Sequence, residues 1–356
     1  MATVAPTSIE LPERSPGPYS AEDKVEIKEF AENLRSIDAA LDFQMSARGW
    51  GYYLEGEGAI TKADLDDAEH WINYCRDNGY LPMDFVADDD ARGFDCVENI
   101  SFTDPDDYIE SMLSMLYYGS AFDISFWDGQ EHYIQVLVEK VDLRELFKPI
   151  CEEYNIPIAN ARGWSLKLQR ARMAARWYAW RQRGNQPVLL YFGDYDPPGV
   201  RISDCLWDNY DFPDAKIPVE AEWIDADYIQ GYRPSHVQVQ RIGLGEDQIK
   251  QQEMTWVNNL ITGSGKDLAS PSHSDHDLPY VQDWLRTVGE RKVEANALMK
   301  EPEYGRQLFR DVVHSYLGES PSTEYQSELE RQRTEVRNRL DDHGLRDPML
   351  DVLRSP

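Results

Sequence analysis

The run Pro187-Val188-Leu189-Leu190-Tyr191-Phe192, closed by Gly193 and Asp194, constrains the fold of this chain more than any other segment. An unbroken apolar run of strand length that ends in turn residues fits a strand covered on both faces, as in a parallel sheet. HYIQVLVE (132–139) is a second β-rich run, and RELFKPICEEY (144–154) between the two has helical spacing. IPVEAEWI (217–224) and HVQVQRIGL (236–244) are further strand candidates. Strands alternating with helices predict an α/β fold with a mainly parallel sheet.

The amino-terminal part reads differently. Residues 1–22 carry Pro, Ser and Glu without apolar period and are expected to be a disordered leader. From Val25 the residues Ile27, Phe30, Leu34 and Ile37 recur at mostly three- and four-residue steps, which predicts a helix. MSARGWGYYLEG predicts a second helix, and Lys62 to Asn78 a third that closes at Gly79. Three short helices followed by the extended LPMDFVA suggest a helix-turn-helix or winged-helix-like module over 23–125, a kind of module that commonly holds DNA. The sheet domain with its extension then occupies 126–318, and 319–356 is a charged carboxy-terminal helix, either solvated or reaching for a partner.

Charge excludes some functions and sharpens others. The chain has 65 Asp and Glu against 36 Lys and Arg, a net charge of -29, and only 11 of the basic residues are Lys. In concentrated salt the Debye length falls to about 3 Å and this self-repulsion is screened, so the composition is similar to that of proteins from salt-accumulating halophiles. An acidic protein that never meets nucleic acid would have the same composition. Four scattered cysteines without C-x-x-C spacing exclude a zinc knuckle and a disulfide framework. With no apolar run of 18 residues and no signal-like start, the expectation is a soluble, cytoplasmic protein that is not bound to a membrane.

Against this background two acidic motifs stand at strand ends. Glu139 closes HYIQVLVE with Lys140 beside it, and Asp194 and Asp196 follow PVLLYF within G-D-Y-D-P-P-G. Ligands of parallel α/β sheets bind outside the carboxyl ends of the strands, where all three carboxylates would emerge. Such oxygen donors suit a hard cation, Mg²⁺, whose shell is completed by water and phosphate oxygens. An acidic chain also carries D-x-D pairs by chance, and such a pair can simply cap a helix.

The 40 residues from Tyr154 to Gly193 contain no Asp or Glu, where the average density would place about seven. Within them stand Arg162, Lys167, Arg170, Arg172, Arg176, Arg181 and Arg183, interleaved with Trp164, Trp177, Tyr178 and Trp180. The pattern fits a track for the phosphate backbone of DNA, or a helix pairing with the protein's own acids. Tyr52, four residues after Arg48, offers a hydroxyl able to attack a phosphodiester, with Tyr53 as a rival. GSGKD (263–267) fails as a phosphate-binding loop, because Leu260 stands where Gly is required and Asp267 where Ser or Thr should bind the cation. His273 and His276 lie in a Ser- and Pro-rich loop and are expected to be solvated.

The order of these features resembles the A subunit of topoisomerase VI, the meiotic double-strand-break transesterase and their short relatives on viruses and plasmids. The carriers are an R-x-x-x-Y helix-turn-helix, a strand ending E-K and a strand ending D-x-D-P-x-G. Further likeness lies in MSARGWGYYLEGEGAITK, CRDNGYLPMDFVADDDAR, QRIGL with Gln248, and VEANAL (293–298), which includes Glu294. The resemblance spans about residues 40–300. It implies a winged-helix domain with a nucleophilic tyrosine, here Tyr52, and a TOPRIM domain binding Mg²⁺, here through Glu139, Asp194 and Asp196. It further implies double-stranded DNA as substrate, a homodimer in which the tyrosine of one protomer meets the metal of the other, and a separate ATPase subunit for any strand passage. Departures are Gly51 in place of an aromatic and Asn296 in place of an acid. The rival functions are a TOPRIM nuclease that uses metal-activated water, and a non-catalytic DNA-binding protein of a mobile element.

Overall fold

The computed structural model describes residues 9–13, 19–82, 85–87, 104–161, 167–201, 212–219, 221–232, 236–262 and 265–353. Arg162, Trp164, Cys96, Cys205 and two residues of GSGKD lie outside them, as does the side chain of Lys167. The chain forms two compact units, Met1–Asp88 with Glu131–Val313, and Asp89–Gln130 with His314–Pro356. The three amino-terminal helices thus share a unit with the sheet, a grouping that differs from the expected division near 125.

In the first unit, β1 (His132–Val138) pairs in parallel with β2 (Ile158–Asn160) and with β3 (Gln186–Phe192). After a separate antiparallel hairpin of β4 (Phe212–Pro218) and β5 (Tyr228–Tyr232), β6 (Gln238–Gly243) pairs in parallel with β3. The sheet order is β2-β1-β3-β6. Val188 to Phe192 are fully buried, which accounts for the unbroken apolar run. The expected strand at 217–224 is a correction: its first residues belong to the hairpin, residues 222–225 form turns, and none of it joins the parallel sheet. β2, only three residues long, carries too little pattern to be predicted.

The connection from β1 leads through α5 (Val141–Glu153) to β2 on one side, whereas the chain leaving β3 reaches β6 on the other. Adjacent strands whose exits diverge leave a crevice at their carboxyl ends, and Glu139 and Asp194 follow those two strands.

The predicted helices are present as α1 (Ala21–Asp38), α2 (Ala47–Gly56) and α3 (Leu65–Asp77), the last preceded by a 3-10 turn at Lys62–Asp64. A capping box starts α1: Asp23 N donates to Ser20 Oγ at 3.1 Å, and Ser20 N donates to Asp23 Oδ2 at 2.7 Å. Ile27, Phe30 and Leu34 are buried as their spacing predicts, but Val25 is exposed. The described residues of LPMDFVA form bends and not a strand. Part of the expected disordered leader is packed: Ile9 is buried, and Tyr19 lies edge-on to Tyr74 and against Trp71. Isolated apolar residues between prolines have no period, so their burial leaves no trace in a pattern search.

The second unit is helical, with α4 (Pro105–Tyr118) and the carboxy-terminal helices Pro321–Asp342 and Arg346–Leu353. Gly119 ends α4 in the left-handed conformation, at φ 67°. Carbonyls at and beyond that end accept from the long charged helix: Arg337 donates to Tyr118 O at 3.0 Å and Arg333 to Phe122 O at 3.0 Å. Tyr325 donates to Asp123 at 2.9 Å. Between the two expected roles of this helix, its arginines serve its own unit.

Candidate active site

Glu139 and the loop after β3 meet directly. Glu139 N donates to Phe192 O at 3.0 Å, prolonging the pairing of β1 with β3 by one step. Glu139 Oε2 accepts from Asp194 N at 2.9 Å and lies 3.4 Å from the Tyr191 hydroxyl. Lys140 Nζ is 2.8 Å from Asp194 Oδ2, and Asp194 Oδ1 accepts from Ala295 N at 2.7 Å. Asp196 turns back on its own loop, where its Oδ1 accepts from Gly199 N at 2.6 Å, at the start of a helical segment over 197–201. The D-x-D pair therefore both caps a helix and faces the strand-end glutamate.

Crowding the three acids has an electrostatic consequence. Burial, and then the Asp194 carboxylate, push Glu139 up to about 7. The same two causes raise Asp196 to about 6. Burial alone would discharge Lys140, but Asp194 and Glu139 outweigh it and keep the ammonium charged. Among the described residues no three His, Cys, Asp or Glu side chains converge closely enough to hold a metal ion as they stand. Lys140 occupies Asp194 Oδ2, so a divalent cation would have to displace that ammonium. The donor set fits Mg²⁺ in chemistry: all carboxylate oxygens, with Glu139 and Asp196 raised by burial and by the Asp194 charge.

Arg241 holds this loop in place. Its guanidinium donates to Gly199 O at 2.8 Å, Asp194 O at 2.7 Å and Gly193 O at 3.1 Å, and stands 5.5 Å from the Tyr191 ring. Five N–H donors in a rigid fork can serve several carbonyls at once, which an ammonium cannot do in one plane. Gln248 fixes the following turn, accepting from Gly245 N at 2.8 Å and donating to Ile242 O at 2.9 Å. The segment QRIGL was singled out by resemblance, but the role of Arg241 depends on carbonyls about 40 residues away and leaves no sequence signal.

The tyrosine reaches the same place from α2. Tyr52 is 1% exposed, and its hydroxyl donates to Glu294 Oε2 at 3.0 Å. Glu294 sits between Val293, bridged to Tyr195 by hydrogen bonds of 2.9 and 3.1 Å, and Ala295, whose N–H holds Asp194. Nucleophile candidate and acid loop are thus joined through two consecutive residues. Burial first, and then the Glu294 charge, raise the Tyr52 phenol well above its ordinary value. Arg48 lies 5.6 Å from the Tyr52 ring centre and pairs with Asp66 at 2.7 Å. Tyr53 is half-buried with its ring edge-on to Trp50 at 5.9 Å, and burial, followed by the charge of Glu57, raises its phenol.

Sequence reasoning missed the anchor of α2. Ser46 caps the helix, accepting from Gly49 N at 3.0 Å, and donates through its hydroxyl to the buried Asp142 at 2.8 Å. Ser46 N also donates to Asp142, and Asn296 Nδ2 reaches the same carboxylate at 3.4 Å. Burial raises Asp142, and an acid at position 296 would set a second carboxylate against it. That explains Asn296. Gly51 lies close against α3: a Cβ there would stand 3.1 Å from the Leu65 side chain, so a larger residue would require Leu65 to shift.

The arginine-rich segment forms α6 (Lys167–Gln182). Trp177 and Trp180 are core residues, Trp180 stacking on Tyr133 at 5.4 Å, and do not belong to an exposed track. Arg176 donates from Nε to Gln135 Oε1 at 3.3 Å, and Arg183 lies 4.2 Å from the Trp223 ring. Arg172 is exposed and Arg170 half-buried. His273 and His276 use their Nδ1 atoms on the backbone at Asp275 N and Leu268 O. The chain matches no protein-family model, and no curated protein is similar to it.

Proposed function

We propose that this protein is a Mg²⁺-dependent, DNA-cleaving transesterase of the topoisomerase VI A-like kind, built from winged-helix-like amino-terminal helices and a TOPRIM-like sheet. The observation that carries this reading is the contact of the Tyr52 hydroxyl with Glu294, one residue from the N–H that binds Asp194. Glu139, Asp194 and Asp196 would hold the cation, which when bound neutralises charge on the phosphate. Tyr52 supplies the attacking oxygen and Arg48 stands beside its ring. Arg241 positions the acid loop through its carbonyls, and the exposed side of α6, with Arg172, lies along the phosphate backbone. Double-stranded DNA is the substrate and a homodimer the working form, because cutting both strands takes two tyrosines; an ATPase subunit would be a separate chain.

The test is incubation with supercoiled DNA and Mg²⁺ in high salt, denaturation in detergent, and detection of protein on DNA ends. The wild type should form this adduct, and Tyr52→Phe should abolish it while leaving DNA binding within a few-fold, since it removes a nucleophile and no charge. A second reading is favoured by the burial of Tyr52: a metal-dependent nuclease in which water attacks and the phenol is structural. Cleavage without adduct would establish that reading, and absence of cleavage would leave a DNA-binding protein whose acids are structural.

A further inference from the structure

The helical second unit carries its apolar side chains on the outside. α4 reads PDDYIESMLSMLYY, richer in large apolar residues than α1, yet none of its residues is buried, whereas α1 buries Ile27, Phe30, Ala31 and Leu34. The helix Arg346–Leu353 likewise has no buried residue. Of the twelve large apolar side chains exposed among the described residues, seven lie in this smaller unit. Ile109, 47% exposed, and Leu116, 41% exposed, are two helical turns apart with Leu113 between them, so the three share one stripe of α4. A contiguous exposed apolar surface of this kind marks a docking face.

The charges at the two ends of the stripe decide what fits it. Asp104, Asp106, Asp107 and Glu110 stand exposed at its start. At its end gather Arg337, which donates to Tyr118 O at 3.0 Å, Arg333, which donates to Phe122 O at 3.0 Å, and Arg346, 4.4 Å from the Tyr117 ring. Arg337 and Arg346 share their charge with Glu330 and Asp341, while the described partners of Arg333 are carbonyls. An apolar ridge with acids at one end and arginines at the other is complementary to itself when two copies run antiparallel about a two-fold axis. DNA does not fit, since an apolar stripe gives its phosphates no counter-charge. We propose that α4 is the face at which two copies of this chain pair, antiparallel, so that the acidic start of each helix meets the arginine-bearing end of the other. Burial of the stripe supplies the affinity and the end charges fix the direction. High salt favours the pairing by screening the repulsion of two chains that each carry a net charge of -29. The inference rests on the homodimer of the proposed function and names its surface; cleavage plays no part in it.

The experiment is sedimentation equilibrium of the full chain in high salt, for the wild type, Ile109→Glu, Leu116→Glu, Leu116→Ala and Ile261→Glu. The wild type should have the mass of two chains. Either substitution in α4 by Glu should raise the dissociation constant at least ~10²-fold, because a two-fold interface buries each added charge twice. Leu116→Ala adds no charge and should raise it roughly tenfold; it decides the matter if the Glu variants lose helicity by circular dichroism. Ile261→Glu alters a side chain of the first unit that is 44% exposed and should leave the dimer intact. A monomeric wild type overturns the homodimer and the inference together. A helical Leu116 variant that pairs within about threefold of the wild type overturns the inference alone and moves the homodimer to another surface. Weakening by Ile261→Glu as large as that by Leu116→Glu overturns it too.

Discussion

The crevice at the ends of β1 and β3 and the helix Pro321–Asp342 are both dense in charge, yet they use it in opposite ways. On the helix Arg331 pairs with Glu328 at 2.6 Å and Arg339 with Glu335 at 2.9 Å, three and four residues apart and open to solvent. At the strand ends, apart from Asp196, the charges meet partners from other elements: Lys140 with Asp194, Glu139 with Asp194 N, and Glu294 with Tyr52. Water screens the first set, so it stabilises little, while in the second burial raises the proton affinity of Glu139 and the carboxylates of Asp194 and Glu139 outweigh burial to raise that of Lys140. The sign of a charge matters less here than what surrounds it.

Breaking the crevice should have the largest effect. Replacing Glu139 or Asp194 by Ala should reduce Mg²⁺-dependent cleavage by at least ~10²-fold, with partial recovery at high Mg²⁺, as measured by nicking of supercoiled DNA. Full activity in a chelator would end the metal assignment. The next largest effect falls on stability. Asp142→Ala leaves Ser46 N and its hydroxyl without their buried acceptor and should cost about 2–4 kcal/mol in denaturant unfolding. Gly49→Ala should be of similar size, since a Cβ there would overlap the Asp142 carboxylate.

Acidity offers a smaller test. Glu139 and Asp196 sit above the ordinary carboxylate range, so the folded protein binds protons more tightly than the unfolded chain. In cation-free buffer the stability this contributes is complete below about pH 4 and is lost as pH rises through 6 to 7. Melting temperature should therefore fall over that interval, Glu139→Gln should flatten the fall, and Mg²⁺ should offset it. A flat profile would show that the acids are hydrated and that the crevice resembles the exposed helix after all.

The smallest effects compare two exposed arginines. Arg172→Ala should lower the slope of log DNA affinity against log salt by roughly 0.9, the loss of one phosphate contact. Arg331→Ala, whose partner is a neighbour on its own helix, should change neither that slope nor the melting temperature measurably. An unchanged slope for Arg172→Ala would move the DNA off α6.

Periodicity was enough to read α1 to α3, β1, β3, β6 and the position of Glu139, Asp194 and Asp196 after the strand ends from the amino-acid order, because burial on both faces leaves an unbroken apolar run and turns follow where it stops. The same order showed a stretch without acids, although not that Trp177 and Trp180 inside it are core. What it could not show is which of 65 acids matter in pairs. Asp142 looks like any first-turn acid until Ser46 donates to it from 96 residues away, and Arg241 like any strand residue until the carbonyls of 193–199 turn toward it. The contact of Tyr52 with Glu294 joins positions 242 residues apart. Local pattern is set by interactions within a few residues, whereas a site is set by which side chains the folded backbone brings within hydrogen-bonding distance, and only the tertiary structure decides that.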